Sequence, residues 1–478
     1  MKTPKSRSKA VFLGVDGVTW TLLDPFIQKD LLPNFKRLKS RGSTAVLEST
    51  YPPSSPPAWT SMFTGVTPGK HRIFDFIKRK PKSYFVEPIF SVDCTVPTLW
   101  DYATRAQKQI IALNIPFAYP LSPTHGIITA GLGAPSKDAD YAYPQTIKAY
   151  IDKHYPDFDI DFEEQSFDLP RDRSRVITKV TKTTENQIRV ARDFFVNRKW
   201  DLFALVLRSP DVMQHFFLDD TEVMQNVYTQ LDQALGWFMD HLDEGTTLIV
   251  ASDHGFKRVA TKFYLNNWLA QAGYLRLKPN APVTVNAESI EKALIKLGLR
   301  RLVWTLKKSP FLEALLKLIP TSSRIALATR ADWSKTRLYY MGISNNGLIF
   351  INRTDREPEG IVAPTEVYLL YRDVKSKLSA LTFSGKKIVD KVIFADDVYT
   401  YGSDRSGPDI IVSPSGAFTI EDGLSKADTI FEAETVKIGN HHPHGILGIF
   451  NKRQTRLLSQ KQYSIYDVTP TILCLLGI

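Results

Sequence analysis

Four short stretches of this sequence carry carboxylates and imidazoles at spacings that suit metal binding. Asp253-His254-Gly255 closes the apolar run TTLIVAS (246–252), offering an acid and an imidazole on one tight turn, with Gly255 free to bend the backbone. A dipeptide of this kind caps a helix or satisfies a turn more often than it binds metal, so alone it is weak. Asp211 and His215 stand four residues apart, which on a helical turn puts both on one face, suited to sharing a metal ion. The alternative is an N-terminal Asp cap with a surface histidine. Asp16, followed by Gly17, ends the run AVFLGV (10–15) and adds a third carboxylate, although such aspartates often cap turns. The fourth stretch, 439–445, puts His441, His442 and His444, three of the chain's nine histidines, within four positions. An exposed His-rich turn competes with metal ligation there, but imidazole is the commonest metal ligand.

A nucleophile candidate lies in YPPSSPPAWTSMFTGVTPGKHRIFDF (51–76), where proline pairs flank Ser54 and Ser55. Prolines fix the local backbone, so a hydroxyl here is held rigidly at a helix start, where free N–H groups face outward. That position suits attack on an anionic phosphorus. From the segment alone, Ser55 as a plain N-cap for a helix beginning near Pro56 is the simpler reading. What strengthens the metal reading is coincidence, since three strand ends present acid or imidazole together.

The elements that must position these groups are legible. Short apolar runs alternate with amphipathic stretches, the pattern of a parallel sheet with helices on both faces. AVFLGV runs into Asp16, LFALVL (202–207) into Ser209, Pro210 and Asp211, and TTLIVAS into Asp253. Ligand sites in open α/β sheets lie beyond the carboxyl ends of the strands, so these residues are expected to converge. Helices are expected over Pro33 to Lys39, about 170 to 197, and Thr221 to Leu242, the last ending at the turn Asp243-Glu244-Gly245. These connections suit right-handed crossovers. From about 276 to 404 the pattern changes, and an inserted cap is expected, dividing the catalytic core into 1–275 and 405–478. Sheet-like sequence resumes at PDIIVSP (408–414), and DVTPTILCLLGI (467–478) reads as a closing helix. Within the cap, 296–330 is basic and apolar, with Lys296, Arg300, Arg301, Lys307, Lys308, Lys317, Arg324 and Arg330 set among Leu, Ile and Trp304.

Composition excludes several classes. At 478 residues, with 43% hydrophobic and 23% charged side chains, the chain is neither disordered nor fibrous, and it exceeds the size at which a single core stops growing. The two cysteines, Cys94 and Cys474, support neither a disulfide framework nor a Cys-based zinc site, which fits a reducing compartment. The N-terminus reads as a basic tail followed by a buried strand, and no run approaches the ~18 apolar residues of a membrane span, so a cytoplasmic location is expected. The net charge of +11 fits scattered surface bases better than a dedicated polyanion site.

Taken in order, FLGVDG, PAWTSMFTGVTPGKHRIFDF, SPDVMQH, ASDHGF with FYLNNWL, DREPEGIV, PDIIV and DVTPTILCLLG resemble the alkaline phosphatase superfamily over nearly the whole chain. The resemblance is to its type I phosphodiesterase/nucleotide pyrophosphatase branch and the related prokaryotic phosphohydrolases. It implies an alkaline-phosphatase-like three-layer α/β/α fold with a largely parallel central sheet and an inserted cap. It further implies Asp211, His215 and His441 as ligands of one metal and Asp16, Asp253 and His254 as ligands of the other, with Ser55 as nucleophile between them. His441 is preferred to His442 and His444 because it stands four residues before Gly445 of GILGI. Two divalent ions about 3.5–4 Å apart can hold the attacking and leaving oxygens of an in-line displacement. Such nitrogen and oxygen ligands suit zinc, with manganese the alternative. The expected activity is hydrolysis of a small phosphate ester through a phosphoseryl enzyme.

The family pattern is not followed throughout. Diesterases of this branch usually carry threonine where Ser55 stands, and nucleotide pyrophosphatases have an asparagine near Phe76. The arginine of the sulfatase signature is absent. These departures weaken a nucleotide diester assignment; diesters or pyrophosphates are still expected slightly ahead of monoesters, with a phosphomonoesterase, phosphotransferase or mutase as the alternative. A reading from another class makes 296–330 a docking segment for anionic membrane or nucleic acid. Peripheral membrane contact is the form of it that suits an enzyme. No specific nucleic-acid partner is indicated, and the oligomeric state is not readable.

Overall fold

The structure, a computed structural model, describes residues 9–162, 172–279, 323–401, 405–424, 429–453, 458–460 and 462–478. Its centre is a nine-stranded sheet in the order Gln462–Ser464, Ser43–Glu48, His444–Asn451, Thr246–Ala251, Lys9–Val15, Leu202–Leu207, Ile110–Ile115, Gly126–Ala130, Ala142–Tyr143. Only His444–Asn451 and Ala142–Tyr143 run against the others, so the sheet is largely parallel. The apolar runs are continuous because these strands are covered on both faces. Leu202–Leu207 and Thr246–Ala251 are buried at every position.

The side chains of Lys9–Val15 alternate between two cores, as the two-residue period of a strand requires. Val11, Leu13 and Val15 pack with the helices Pro33–Arg41, Arg173–Asn197 and Thr221–His241. Ala10 and Phe12 pack with Ser55–Thr64, Leu99–Arg105 and Val468–Leu476 on the other face. This is the expected three-layer α/β/α arrangement. The helices expected from the sequence lie within a few residues of their anticipated ends.

A smaller antiparallel sheet, in the order Leu338–Tyr340, Gly347–Ile351, Ile410–Pro414, Val389–Phe394, has a core of its own beneath the helix Val367–Ala380. The run PDIIVSP supplies a strand to this second sheet, pairing with Gly347–Ile349 and with Val389–Phe394. The chain returns to the large sheet at His444–Asn451. Most of the basic stretch 296–330 lies outside the described residues, which resume with the helix Ser323–Arg330. No helix among the described residues is long and apolar enough to cross a membrane. Cys94 and Cys474 are both free.

One contact ties two helices over the sheet. The helix Pro33–Arg41 has Leu32 at its N-cap, a side chain that cannot accept a hydrogen bond. Asp232, buried on Thr221–His241, does so instead, accepting from the backbone amides of Asn34 at 2.9 Å and Phe35 at 2.8 Å and from Asn34 Nδ2 at 2.8 Å. We expect Asp232→Ala to destabilise the chain by about 2–3 kcal/mol, because buried donors lose a charged acceptor. Denaturant unfolding measures this, and activity per folded molecule should be retained.

Candidate metal centre

Register brings the candidate residues together. Lys9–Val15 pairs in parallel with Leu202–Leu207 on one side, Val15 opposite Leu207, and with Thr246–Ala251 on the other, Gly14 opposite Ala251. Three adjacent strands thus end level, and Asp16, the helix carrying Asp211, and Asp253-His254 leave from one edge. At Gly17 the chain turns with φ +72°, a left-handed conformation that favours glycine, and its amide donates to Asp253 Oδ1 at 3.2 Å. Trp59 Nε1 donates to the other side of the cluster, at Asp16 Oδ2, 3.0 Å away.

Asp211 and His215 lie on the helix Ser209–Phe217, and both side chains are buried, so the alternative of a helix cap with a surface histidine does not hold. His441 arrives on the strand Gly439–His442, which pairs antiparallel with Gly255–Arg258, Phe256 opposite His441. Gly255 matters here through close approach more than through bending. A Cβ at that position would lie 2.1 Å from His444 O. His442 and His444 meet each other, ring centroids 4.9 Å apart. Ser55 is the first residue of its helix and Ser54 holds the N-cap position without a side-chain cap bond, so Ser55 is not the plain N-cap. Its Oγ lies 3.2 Å from His254 Nε2.

The three imidazoles are oriented alike. Nδ1 of His215 faces Gly439 O at 2.9 Å, Nδ1 of His254 faces Gly255 O at 3.1 Å, and Nδ1 of His441 faces Pro53 O at 3.1 Å. A carbonyl only accepts, so each Nδ1 carries a proton, and in the neutral ring Nε2 is the nitrogen left with a lone pair. These lone pairs point at one another and at carboxylates. His215 Nε2 and His441 Nε2 are 3.2 Å apart, and Asp211 Oδ1 is 3.5 and 3.3 Å from them. His254 Nε2 lies 3.6 Å from Asp16 Oδ1 and 3.3 Å from Asp253 Oδ2. Carbonyl-oriented imidazoles of this kind are how protein metal ligands are usually held.

The residues fit a metal. Asp16 Oδ1, Asp211 Oδ1 and Asp253 Oδ2 are buried and lack a hydrogen-bond partner, an expensive state for a carboxylate unless a cation satisfies it. Burial first, then Asp253 and Asp211, push Asp16 well above the usual carboxylate range, and burial with Asp211 pushes Asp253 up to about 8. Burial, then His441, lowers His254 to about 4, and burial lowers His441, so both imidazoles are neutral. Among the described residues, two groups of three donors are tight enough to hold an ion: Asp211, His215 and His441, and Asp16, Asp211 and His254. Asp211 stands in both, so it faces both groups, while Asp253 adjoins the second through His254 Nε2.

Two supporting residues carry no signal in composition. Trp59 reads as a core aromatic until its indole N–H is found on Asp16. Asp75, buried in FDF, accepts from the amides of Ile343 at 2.5 Å and Ser344 at 3.2 Å and so anchors a loop of the second sheet, whose Asn345 Nδ2 donates to Asn440 Oδ1 at 2.6 Å, next to His441.

The family described as type I phosphodiesterase/nucleotide pyrophosphatase matches residues 10–444, a span that contains the nucleophile candidate and all six proposed ligands. The chain belongs to this family. Its members are metal-dependent phosphoric ester hydrolases, and the fold agrees with solved structures at low identity. Phosphonoacetate hydrolase from Sinorhizobium meliloti is 15% identical with a TM-score of 0.61, covering 98% of this chain and 96% of that one. Murine ectonucleotide pyrophosphatase/phosphodiesterase 5 is 13% identical with a TM-score of 0.55, covering 98% and 95%. The human counterpart is 14% identical with a TM-score of 0.53, also covering 98% and 95%. No curated protein matches the sequence significantly.

Because Asp211 faces both groups of donors, we expect Asp211→Ala to lose most of both ions and Asp253→Ala to lose mainly one, read by elemental analysis after reconstitution. Chelation of the wild type should lower its melting temperature, since a ligand that binds only the folded state stabilises it.

Proposed function

We propose that this phosphohydrolase cleaves small phosphate esters, diesters and pyrophosphates ahead of monoesters, through a covalent phosphoserine on Ser55. The supporting observation is Ser55 Oγ, 3.2 Å from His254 Nε2 and buried against the donor cluster at a helix start. Asp211, His215 and His441 would hold one divalent ion and Asp16, Asp253 and His254 the other. Three carboxylates and three imidazoles suit zinc, with manganese as the alternative. When bound, such ions acidify a neighbouring hydroxyl and neutralise charge on a phosphoryl group.

The helix itself contributes less to anion binding than its position promises. Pro56 and Pro57 have no N–H, and the Ala58 amide donates to Ser54 O at 3.0 Å. The first turn therefore has few amides to offer a phosphate, and its use is to hold Ser55 rigid. Ser55, its proton lost to solvent, attacks phosphorus and expels the bridging oxygen, which leaves as an alcohol after protonation by water when the substrate is an ester and as a phosphate when it is a pyrophosphate. Water then attacks the same phosphorus and regenerates Ser55. The relatives of known structure include both a phosphonoacetate hydrolase and a nucleotide pyrophosphatase, so the fold alone does not select a substrate. Serine in place of threonine keeps monoester hydrolysis and phosphoryl transfer as the alternative. Two free thiols and the expected lack of a membrane span support a cytoplasmic enzyme.

Ser55→Ala should lower kcat by about a thousandfold or more while leaving the metal content near that of the wild type. Assays with bis-p-nitrophenyl phosphate, p-nitrophenyl phosphate and nucleoside triphosphates, with product analysis, would sort diester, monoester and pyrophosphate cleavage from transfer to another acceptor. A variant that kept most of its activity would move the nucleophile to Ser54. That hydroxyl is buried and unpartnered, whereas Thr60 Oγ1 is committed to Pro56 O at 2.7 Å.

A further inference from the structure

Next to the metal centre lies a cavity of about 510 Å3, walled on one side by His441 and Pro53 and on the other by the strands of the second sheet. Two lysines line it. Lys257 is on the strand that pairs beside His441, and its Nζ donates to Pro414 O at 2.8 Å. Lys391 Nζ donates to Tyr51 OH at 2.9 Å. Both partners are neutral, and an ammonium has three donors. Among the described residues neither lysine forms an ion pair. Arg258 is paired with Asp219 at 2.9 Å, so the wall sets two lysines against one carboxylate, Asp390, whose charge acts on both, while Glu48 acts on Lys391 from outside the wall. Burial lowers Lys257 to about 8, so the ammonium persists at neutral pH in a place where it is poorly solvated. Lys257 is mostly buried and Lys391 exposed, and two ammonium groups facing one wall carboxylate leave a net positive concave surface that an incoming anion offsets and an apolar group does not.

We propose that this cavity is the subsite for the part of the substrate beyond the reacting phosphorus, and that it selects phosphate esters carrying a second anionic group, a carboxylate or a phosphate, met by Lys257 and Lys391. This rests on the reading of Ser55 and its neighbours as a phosphohydrolase centre. It narrows the substrate from phosphate esters in general to compact dianionic or polyanionic ones.

Three 4-nitrophenyl phosphate diesters with a common leaving group, whose second arm ends in a hydroxyl, a carboxylate or a phosphate, test it. We expect kcat/KM for at least one charged arm to exceed that for the hydroxyl arm by about tenfold or more, the worth of a charge-assisted contact, with the better arm naming the anion. In Lys257→Ala/Lys391→Ala that ratio should fall to near one, and Lys257→Arg should restore part of it. A wild-type enzyme that cleaves all three alike, or a double variant that keeps the ratio, overturns the subsite. Calorimetric binding of the same probes to metal-loaded Ser55→Ala separates the two claims. If no probe turns over, the diesterase reading fails. Tighter binding of a charged arm, lost in the lysine variants, would still support the subsite, and equal binding of all three would overturn it.

Discussion

Asp16, Asp211 and Asp253 are buried within reach of one another, and three imidazole lone pairs are aimed into the same space. Burial penalises each negative charge, and each carboxylate penalises the next. Hydrogen bonds relieve part of this, through Trp59 on Asp16 and the Gly17 amide on Asp253, but one oxygen of each carboxylate has no partner. In spite of burial, His215, His441 and Arg208 hold Asp211 below the usual carboxylate range, and a bound cation would relieve Asp16 and Asp253, which burial and their acidic neighbours push up. The surrounding architecture can be understood as the framework that holds these repelling groups in place.

That framework is the sheet register. Three parallel strands ending level put acids and a histidine on one edge, and the short antiparallel pair between Gly255–Arg258 and Gly439–His442 swings His441 against His215. Backbone carbonyls then fix each ring so that Nε2 faces inward. Ser55 enters from the opposite helical layer, on a helix whose two prolines sacrifice amide donors for rigidity. The second sheet reaches the same place by way of Asp75 and Asn345, and its strands close the lysine-lined cavity. The candidate metal centre, the proposed nucleophile and the proposed substrate space therefore depend on different layers meeting at one edge of one sheet.

Much of this was legible before any coordinates. Continuous apolar runs marked strands covered on both faces, and the residues following them marked the edge where chemistry collects. The spacing of Asp211 and His215 correctly implied one helical face. Other features are properties of the folded chain alone. No local pattern shows that Ser54, not Ser55, takes the cap position, or that PDIIVSP joins the smaller sheet, because both depend on partners far away in sequence. Trp59 and Asp75 sat inside recognisable motifs, yet their roles are hydrogen bonds to residues 43 and about 268 positions distant. The role of Asp211 facing both donor groups also needed three dimensions, since spacing can pair it with His215 but cannot measure its approach to Asp16 and His254.

Anomalous diffraction at the zinc edge from crystals of the zinc-reconstituted enzyme tests the central claim most directly. The account predicts two peaks about 3.5–4 Å apart, one bonded to Asp211 and to Nε2 of His215 and His441, the other to Asp16, Asp253 and Nε2 of His254. A single peak, or zinc held by His442 and His444 with the buried carboxylates left empty, would contradict it.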